Sequence, residues 1–472
     1  MLTLNPARTL TSADLKDNLG DIQDNIVMPI LMRYGRHIFF KFSEGARARA
    51  WLRSLLKRVN ARSEGRGTRF TVNVAFTYEG LKALGLSQRS LNSFPEAFRV
   101  GMRGRADEVG DIGPHAPEHW EGALGSPDIH AMALIRTDSE RGRDEATRII
   151  SAEAEATGGI DLRFVQDTMA LAHENGVGSE GEHFGFADPV SQPPIEGADD
   201  PCYPGDGVLE PDGTWRPLKP GEFVLGYEDE AGSAGTPAPE PLELRLNGTY
   251  VVFRKLYQDV AAFRRYMATA ARALYNSDDQ YHQELVAAKI MGRWRSGCPL
   301  DLSPDRDDPD IAADPQRRNN FTYAGDDQGL RCPLGSHLRR SNPRATPLTR
   351  ATAVRRHRLL RRGVEYGPHL KEGALEDDGV DRGLINIFIQ ADIERQFEFV
   401  QREWMKGGEF IGLDPNEQDP INGVGGEGSQ MMVPGATRPF LFDLPTFVTV
   451  KGGEYLFVPG LKALEGLIEQ RF

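Results

Sequence analysis

The chain has 472 residues, 39 % hydrophobic and 8 % aromatic, which is ample material for a core and unlike a disordered chain. At roughly 100–200 residues per domain it should hold two or three domains. With 56 basic against 69 acidic residues the net charge is −13. That argues against nucleic acid or an anionic membrane surface as partner, since both call for a basic face.

The opening segment, MLTLNPARTLTSADLKDNLGDIQ, has no charged stretch leading into an apolar run and no twin arginine. No segment nears the roughly 18 apolar residues that a membrane span needs. Cys202, Cys298 and Cys332 lie far apart and form no CxxC pair, which speaks against structural zinc and a disulfide framework. A cytoplasmic protein is expected.

Residues 36–42 (RHIFFKF) read as a strand and 44–58 as an amphipathic helix. The alternating run 69–76 (RFTVNVAF) is a second strand, and a short helix, YEGLKALGL, follows. Residues 129–137 read as a strand, 139–156 as a helix and 161–170 as a last strand. The order β-α-β-β-α-β is the ferredoxin-like pattern, an antiparallel sheet with helices. Residues 1–180 therefore form an N-terminal domain.

Residues 181–240 break the periodicity with QPPIEG, YPGDG, LKPGE and GTPAPEP, and read as a long loop and linker. From 241 to 472 the theme returns. A strand is expected at 249–254, a helix at 257–275, strands at 356–361 and 384–390, and a helix at 393–405. A terminal hairpin, FVTVKGGEYLFVPG, would turn at KGGE. The repeat is one of pattern and not of letters. The fold class is α+β, with two ferredoxin-like domains.

Three segments carry chemistry: Gly185 to Pro193, Cys332 to Arg344, and His357 to Pro368. Each alone has a bland reading, as a turn-forming Asp, a hydrogen-bonded His and a solvated Arg cluster. Together, one His among several Arg residues, followed by NPR, is a pattern that could hold an anionic cofactor. A haem would fit, because its iron takes one axial imidazole and its propionates take Arg partners.

These segments, in this order, resemble the dye-decolorizing peroxidases. The resemblance runs along nearly the whole chain, through DIQDNIVMPILMRYGRHIFFKF, NVAFTYEGLKALGL, FPEAFRVGMRGRADEVGDIG, PGEFVLGYEDEAG, NGTYVVFRKLYQDVAAF, GRWRSGCPLDLSPD, CPLGSHLRRSNPR and RQFEFVQREW. The length and long loops look like the larger intracellular bacterial branch. The resemblance implies one haem b per chain, held in the C-terminal domain. It also implies reduction of hydrogen peroxide to water through a ferryl intermediate while dyes, phenols or similar one-electron donors are oxidised. His337 matches the proximal ligand and the metal-binding residue. Asp188 matches the distal aspartate of a GxxDG motif, and Arg361 the distal arginine ahead of Tyr366-Gly367. Arg344 matches a propionate partner, Asn342 lines the pocket, and Asp392 accepts a hydrogen bond from His337.

Pro189 stands where the family keeps glycine, which stiffens the loop of Asp188. Arg362 competes with Arg361, but adjacent strand residues face opposite sides, so only one reaches the haem. An Asp base paired with Arg361 predicts peroxidase activity that survives in acid, where a histidine base would be protonated. Five tryptophans and twelve tyrosines offer electron routes that the sequence does not single out. The natural reductant is equally open. The acidic run Asp305–Asp308 could hold a cation such as Mn(II), although a solvated loop is the simpler reading. The alternative to a peroxidase is a haem-binding or haem-handling protein, which would need no Asp188–Arg361 pair.

Overall fold

The computed structural model describes residues 9–27, 32–61, 70–171, 181–188, 190–233 and 238–472. In the first half the apolar runs form β1 (Tyr34–Phe42), β2 (Phe70–Phe76), β3 (Ala131–Thr137) and β4 (Ile160–Met169). Helix α1 (Gly45–Leu56) follows β1, and α2 (Glu140–Thr157) lies between β3 and β4. Helix α1 buries Ala48, Trp51, Leu52 and Leu55, the stripe that a helix turns towards a sheet. The Trp51 ring packs 4.8 Å from that of Phe40 on β1. Helix α2 starts at Ser139, whose side chain accepts the Gly142 N–H.

The second half repeats the plan with β5 (Thr249–Gln258), α3 (Val260–Tyr275), α4 (Gln280–Met291), α5 (His337–Ser341), β6 (Leu360–Arg361), β7 (Val364–Tyr366), β8 (Gly383–Gln390), β9 (Val448–Val458) and α6 (Leu461–Ile468). The first four strands lie in the order β4-β1-β3-β2 and the later ones in the order β9-β5-β8-β6, with β7 also on β8. Each half is thus an antiparallel ferredoxin-like sheet, and the two join where Phe76 of β2 pairs with Phe457 of β9. Phe39, Met132, Val251, Phe253, Ile385, Ile387 and Leu456, drawn from both halves, pack into one apolar cluster. The joined sheet therefore curls into a barrel around them, with β4 lying against β7.

Two expectations are corrected, and a third is refined. The KGGE segment is no hairpin turn: β9 runs unbroken from Val448 to Val458, with a register shift between Val450 and Gly452. Glycine permits a bulge there because neighbours crowd the backbone. A Cβ on Gly452 would lie 2.4 Å from Leu124, and one on Gly453 2.0 Å from the Met102 sulfur. Residues 356–361 are mostly not strand, since a 3₁₀ turn covers Val354–His357 and only Leu360–Arg361 join the sheet. The helix at 393–405 is π-helical, with Glu398 N–H donating to Ile393 C=O at 2.9 Å and Lys406 N–H to Gln401 C=O at 3.0 Å. Among the described residues no helix is long and apolar enough to cross a membrane. Asp308 caps a short helix through the Ile311 N–H, and Asp307 accepts from Ser296, so both act within their own loop.

Candidate active site

A cavity opens on the outer face of the second sheet. Arg254, Leu256 and Gln258 of β5, Leu384, Asn386 and Phe388 of β8, and Arg361 of β6 all line it. These are alternate residues, and the two-residue period of a strand turns them away from the barrel interior. The far wall comes from α5, the loop around Asp188 and the π-helical segment, through His337, Asp188 and Met405 among others.

His337 is the first residue of α5. The turn that delivers it is clamped by Asp326, which accepts the N–H groups of Arg331 and Cys332 and an Arg339 Nη1 bond, each at 3.0 Å. Arg340 is wholly buried and donates to the carbonyls of Gly335, Trp404, Gly407 and Glu417. It thereby stitches the His337 helix to the π-helical segment and to the loop that follows. The LRR stretch that reads as a solvated cluster is in fact the scaffold of the site.

The His337 Nδ1 lies 3.0 Å from both carboxylate oxygens of Asp419. Asp419 also accepts the N–H groups of Ile421 at 2.9 Å and Asn422 at 2.7 Å. With Nδ1 engaged, Nε2 is the nitrogen left for the cavity. The side chain keeps 31 % of its surface accessible, and that surface belongs to the cavity wall. Burial opposes charge on this ring, but Asp419 outweighs it and raises the His337 pKa. Burial likewise works against the Asp419 carboxylate, and the facing imidazole still brings its pKa below the ordinary value.

Asp392 is therefore not the partner of His337. It accepts the Arg395 N–H at 3.0 Å and the Arg395 Nε at 3.3 Å, capping the π-helical turn that begins beside it. Its place is taken by Asp419, which lies 82 residues beyond His337 in DPNEQDPING. No spacing or periodicity sets that Asp apart from Asp414 nearby.

Across the cavity, Arg361 grips Asp188 with both terminal nitrogens, at 2.9 and 3.2 Å. The backbone N–H of Arg361 donates to Gln192 Oε1 at 2.9 Å, which ties the Asp188 loop to β6. Glu182 accepts the N–H groups of Phe184 and Phe186 and shapes the approach to Asp188. Pro189 lies outside the described residues. Arg362 points the other way and donates to Asn25 C=O at 3.1 Å.

Arg344 and Asn342 both line the cavity. Arg344 has a left-handed backbone, φ 52°, and lies 3.9 Å over the Phe321 ring while donating to the carbonyls of Asn319 and Phe321. Burial lowers its pKa. Arg358, a second arginine of this wall, stands out less in sequence. It donates to Asp206 C=O at 3.0 Å, and burial, helped by nearby Arg344, lowers its pKa to about 10.

The donor set fits a haem. One imidazole backed by a carboxylate could supply a nitrogen to an iron, and Phe186, Leu338, Leu359, Phe388, Met405 and Ile421 give apolar walls that would suit a flat ring. Arg344 and Arg358 supply two half-buried cations on the cavity wall, suited to carboxylate side groups.

Residues 21–159 match the family model described as the DyP dimeric alpha+beta barrel domain. The chain is 30 % identical over 498 residues to a dye-decolorizing peroxidase of Mycena epipterygia, covering 97 % of this chain and 89 % of that one. It is 29 % identical over 483 residues to the multifunctional dye peroxidase of Amycolatopsis, covering 95 % and 96 %. The solved structure of a decolorizing peroxidase from Auricularia auricula-judae superposes with a TM-score of 0.81 at 26 % identity, over 96 % of this chain and 99 % of that one. Chains from Mycena and Amycolatopsis match over the same length, so the likeness does not single out the bacterial branch.

Proposed function

Because this chain belongs to the dye-decolorizing peroxidase family, and is therefore a haem peroxidase, we propose that His337 would hold the haem iron and that Asp188 and Arg361, in the same cavity, promote peroxide cleavage. The group would be haem b, one per chain, and Arg344 and Arg358 would hold its carboxylates, with Asn342 on the pocket wall. When bound, it supplies the iron that binds peroxide and takes up its two oxidising equivalents.

The protein's own part is proton handling and charge. Asp188 takes the proton from the inner peroxide oxygen and returns it to the outer one, which leaves as water. Arg361 cannot lose its proton, so it is a fixed cation facing the developing negative charge. Its fork on Asp188 keeps the two groups in one geometry. Asp419 holds the His337 tautomer and makes the ring a stronger donor. Dyes, phenols or similar one-electron donors supply the electrons. The free state of Cys202, Cys298 and Cys332 supports a reducing, cytoplasmic setting.

The observation that carries this reading is the single cavity wall arrangement in which His337 and the Asp188–Arg361 fork are brought together from distant parts of the chain. A haem-handling protein has no use for that fork. The test compares three variants. His337→Ala should lose haem, whereas Asp188→Asn and Arg361→Leu should keep it and consume peroxide about 100- to 1000-fold more slowly. Full haem content in His337→Ala would overturn the ligand assignment.

A further inference from the structure

Glu365 has no part in the reading above. It lies on β7, which is separated from β6 by Arg362–Gly363, and both strands keep the same register against β8, Arg361↔Phe388 and Glu365↔Leu384. Residues four apart on such a ladder share a face. Both cross-strand partners, Phe388 and Leu384, line the cavity, so Glu365 is on the Arg361 side of the sheet. It is 7 % exposed.

The charges whose fields act between it and its surroundings are Asp188 and Glu182 of the distal loop and, from the barrel side of β3, Arg136. Arg136 gives its Nη2 to Arg362 C=O at 3.2 Å. Glu182 is already engaged by the Phe184 and Phe186 N–H groups and by Gln258 Nε2 at 2.6 Å. Burial first, then the charges of Asp188 and Glu182, push Glu365 up to about 7. Hydrogen bonds from its own backbone and that of Leu171 oppose the rise without cancelling it. A carboxyl that is half protonated near neutrality, on the same sheet face as the distal pair, is suited to carrying protons.

The reaction needs them. Hydrogen peroxide, two electrons from one-electron donors and two protons give two waters, and the protons must enter a walled cavity. We propose that Glu365 passes protons to Asp188 during peroxide reduction, as a positioning residue that acts through Asp188. In the step the O–H bond of the Glu365 acid breaks and an O–H bond forms on Asp188. No electron changes hands, and Glu365 regains its proton from solvent. The relay rests on the reading of Asp188 as the proton-handling carboxylate.

The test is the pH profile of peroxide consumption by the holoenzyme between pH 5 and 9, for wild type, Glu365→Gln, Glu365→Asp and Asp188→Asn, with haem content measured in each. Wild type should lose rate as pH rises through about 7. Glu365→Gln should lack that limb and run about ten-fold slower at pH 6 with haem content unchanged. Glu365→Asp should restore the limb with a displaced midpoint. A Glu365→Gln profile that superimposes on wild type overturns the relay. If Glu365→Gln fails to fold, an unmoved midpoint in Glu365→Asp overturns it instead. Asp188→Asn separates the two ideas. If it is slow while Glu365→Gln behaves as wild type, only the relay falls. If it keeps the wild-type rate, the Asp188 assignment falls and takes the relay with it.

Discussion

Replacing Asp419 by Asn should raise the Fe(III)/Fe(II) midpoint potential of the bound haem. One oxygen of Asp419 already accepts the N–H groups of Ile421 and Asn422, at 2.9 and 2.7 Å. In the variant the amide oxygen keeps those bonds, and the amide nitrogen falls on the second oxygen's place, 3.0 Å from His337 Nδ1. Nδ1 keeps one acceptor, the amide oxygen 3.0 Å away, but an N–H replaces the other and the negative charge behind the ring is gone. Loss of such a partner costs about 10- to 100-fold in metal affinity. If that cost falls on the ferric form, the potential rises by about 60 to 120 mV, at about 59 mV per tenfold for one electron. Spectroelectrochemical titration reads the shift, and haem transfer to an apoglobin reads the affinity. Asp392→Asn is the control and should leave the potential where it is, because Asp392 serves Arg395. A shift in Asp392→Asn as large as in Asp419→Asn, or none in Asp419→Asn, would refute the reasoning.

Arg361→Lys keeps a cation but cannot make the two-armed bond to Asp188, so peroxide cleavage should slow about ten-fold or more while haem content holds, as stopped-flow mixing with peroxide would show. Arg340→Met leaves four carbonyls, three of them buried, without this donor, and should cost on the order of 3 kcal/mol and several degrees of Tm by calorimetry. Glu454 on β9 is 5 % exposed, and burial, only partly offset by the Gly125 N–H, raises its pKa to about 8. A carboxyl raised in the folded state adds stability that is complete below its unfolded pKa near 4.5 and is lost as pH climbs from there through about 8. Glu454→Gln keeps the acceptor and removes the titration, so it should gain stability over wild type as pH goes from 5 to 8, by at most about 3 kcal/mol at pH 7. Parallel thermal melts of the two proteins at both pH values would reveal any absence of that divergence.

Much of the fold is legible in the chain because its signals are local. The periods of RHIFFKF, of α1 and of LINIFIQ each say which face must be buried, and two runs of strand, helix and strand then leave few antiparallel arrangements. Where local signals mislead, tertiary crowding is the reason. Leu124 and Met102 press on Gly452 and Gly453, so a turn-like KGGE becomes a bulge in one long strand. Arg339 and Arg340 look like surface charge until the structure surrounds them with Asp326 and a set of carbonyls.

The site divides the same way. His337, Asp188, Arg361, Arg344 and Asn342 stand in short blocks whose residues are neighbours in sequence, so a resemblance of blocks suffices to name them. Which carboxylate backs His337 is a matter of loop path, and only the folded chain puts Asp419 there and leaves Asp392 to Arg395. The place of Glu365 depends on register: β6 and β7 keep one register against β8 on either side of the break at Arg362–Gly363, which puts it on the Arg361 face, and a one-residue slip would have sent it into the barrel. Composition and periodicity determined what the elements are and which of their faces seek cover. Packing alone decided which polar side chains, far apart along the chain, share one low-dielectric cavity.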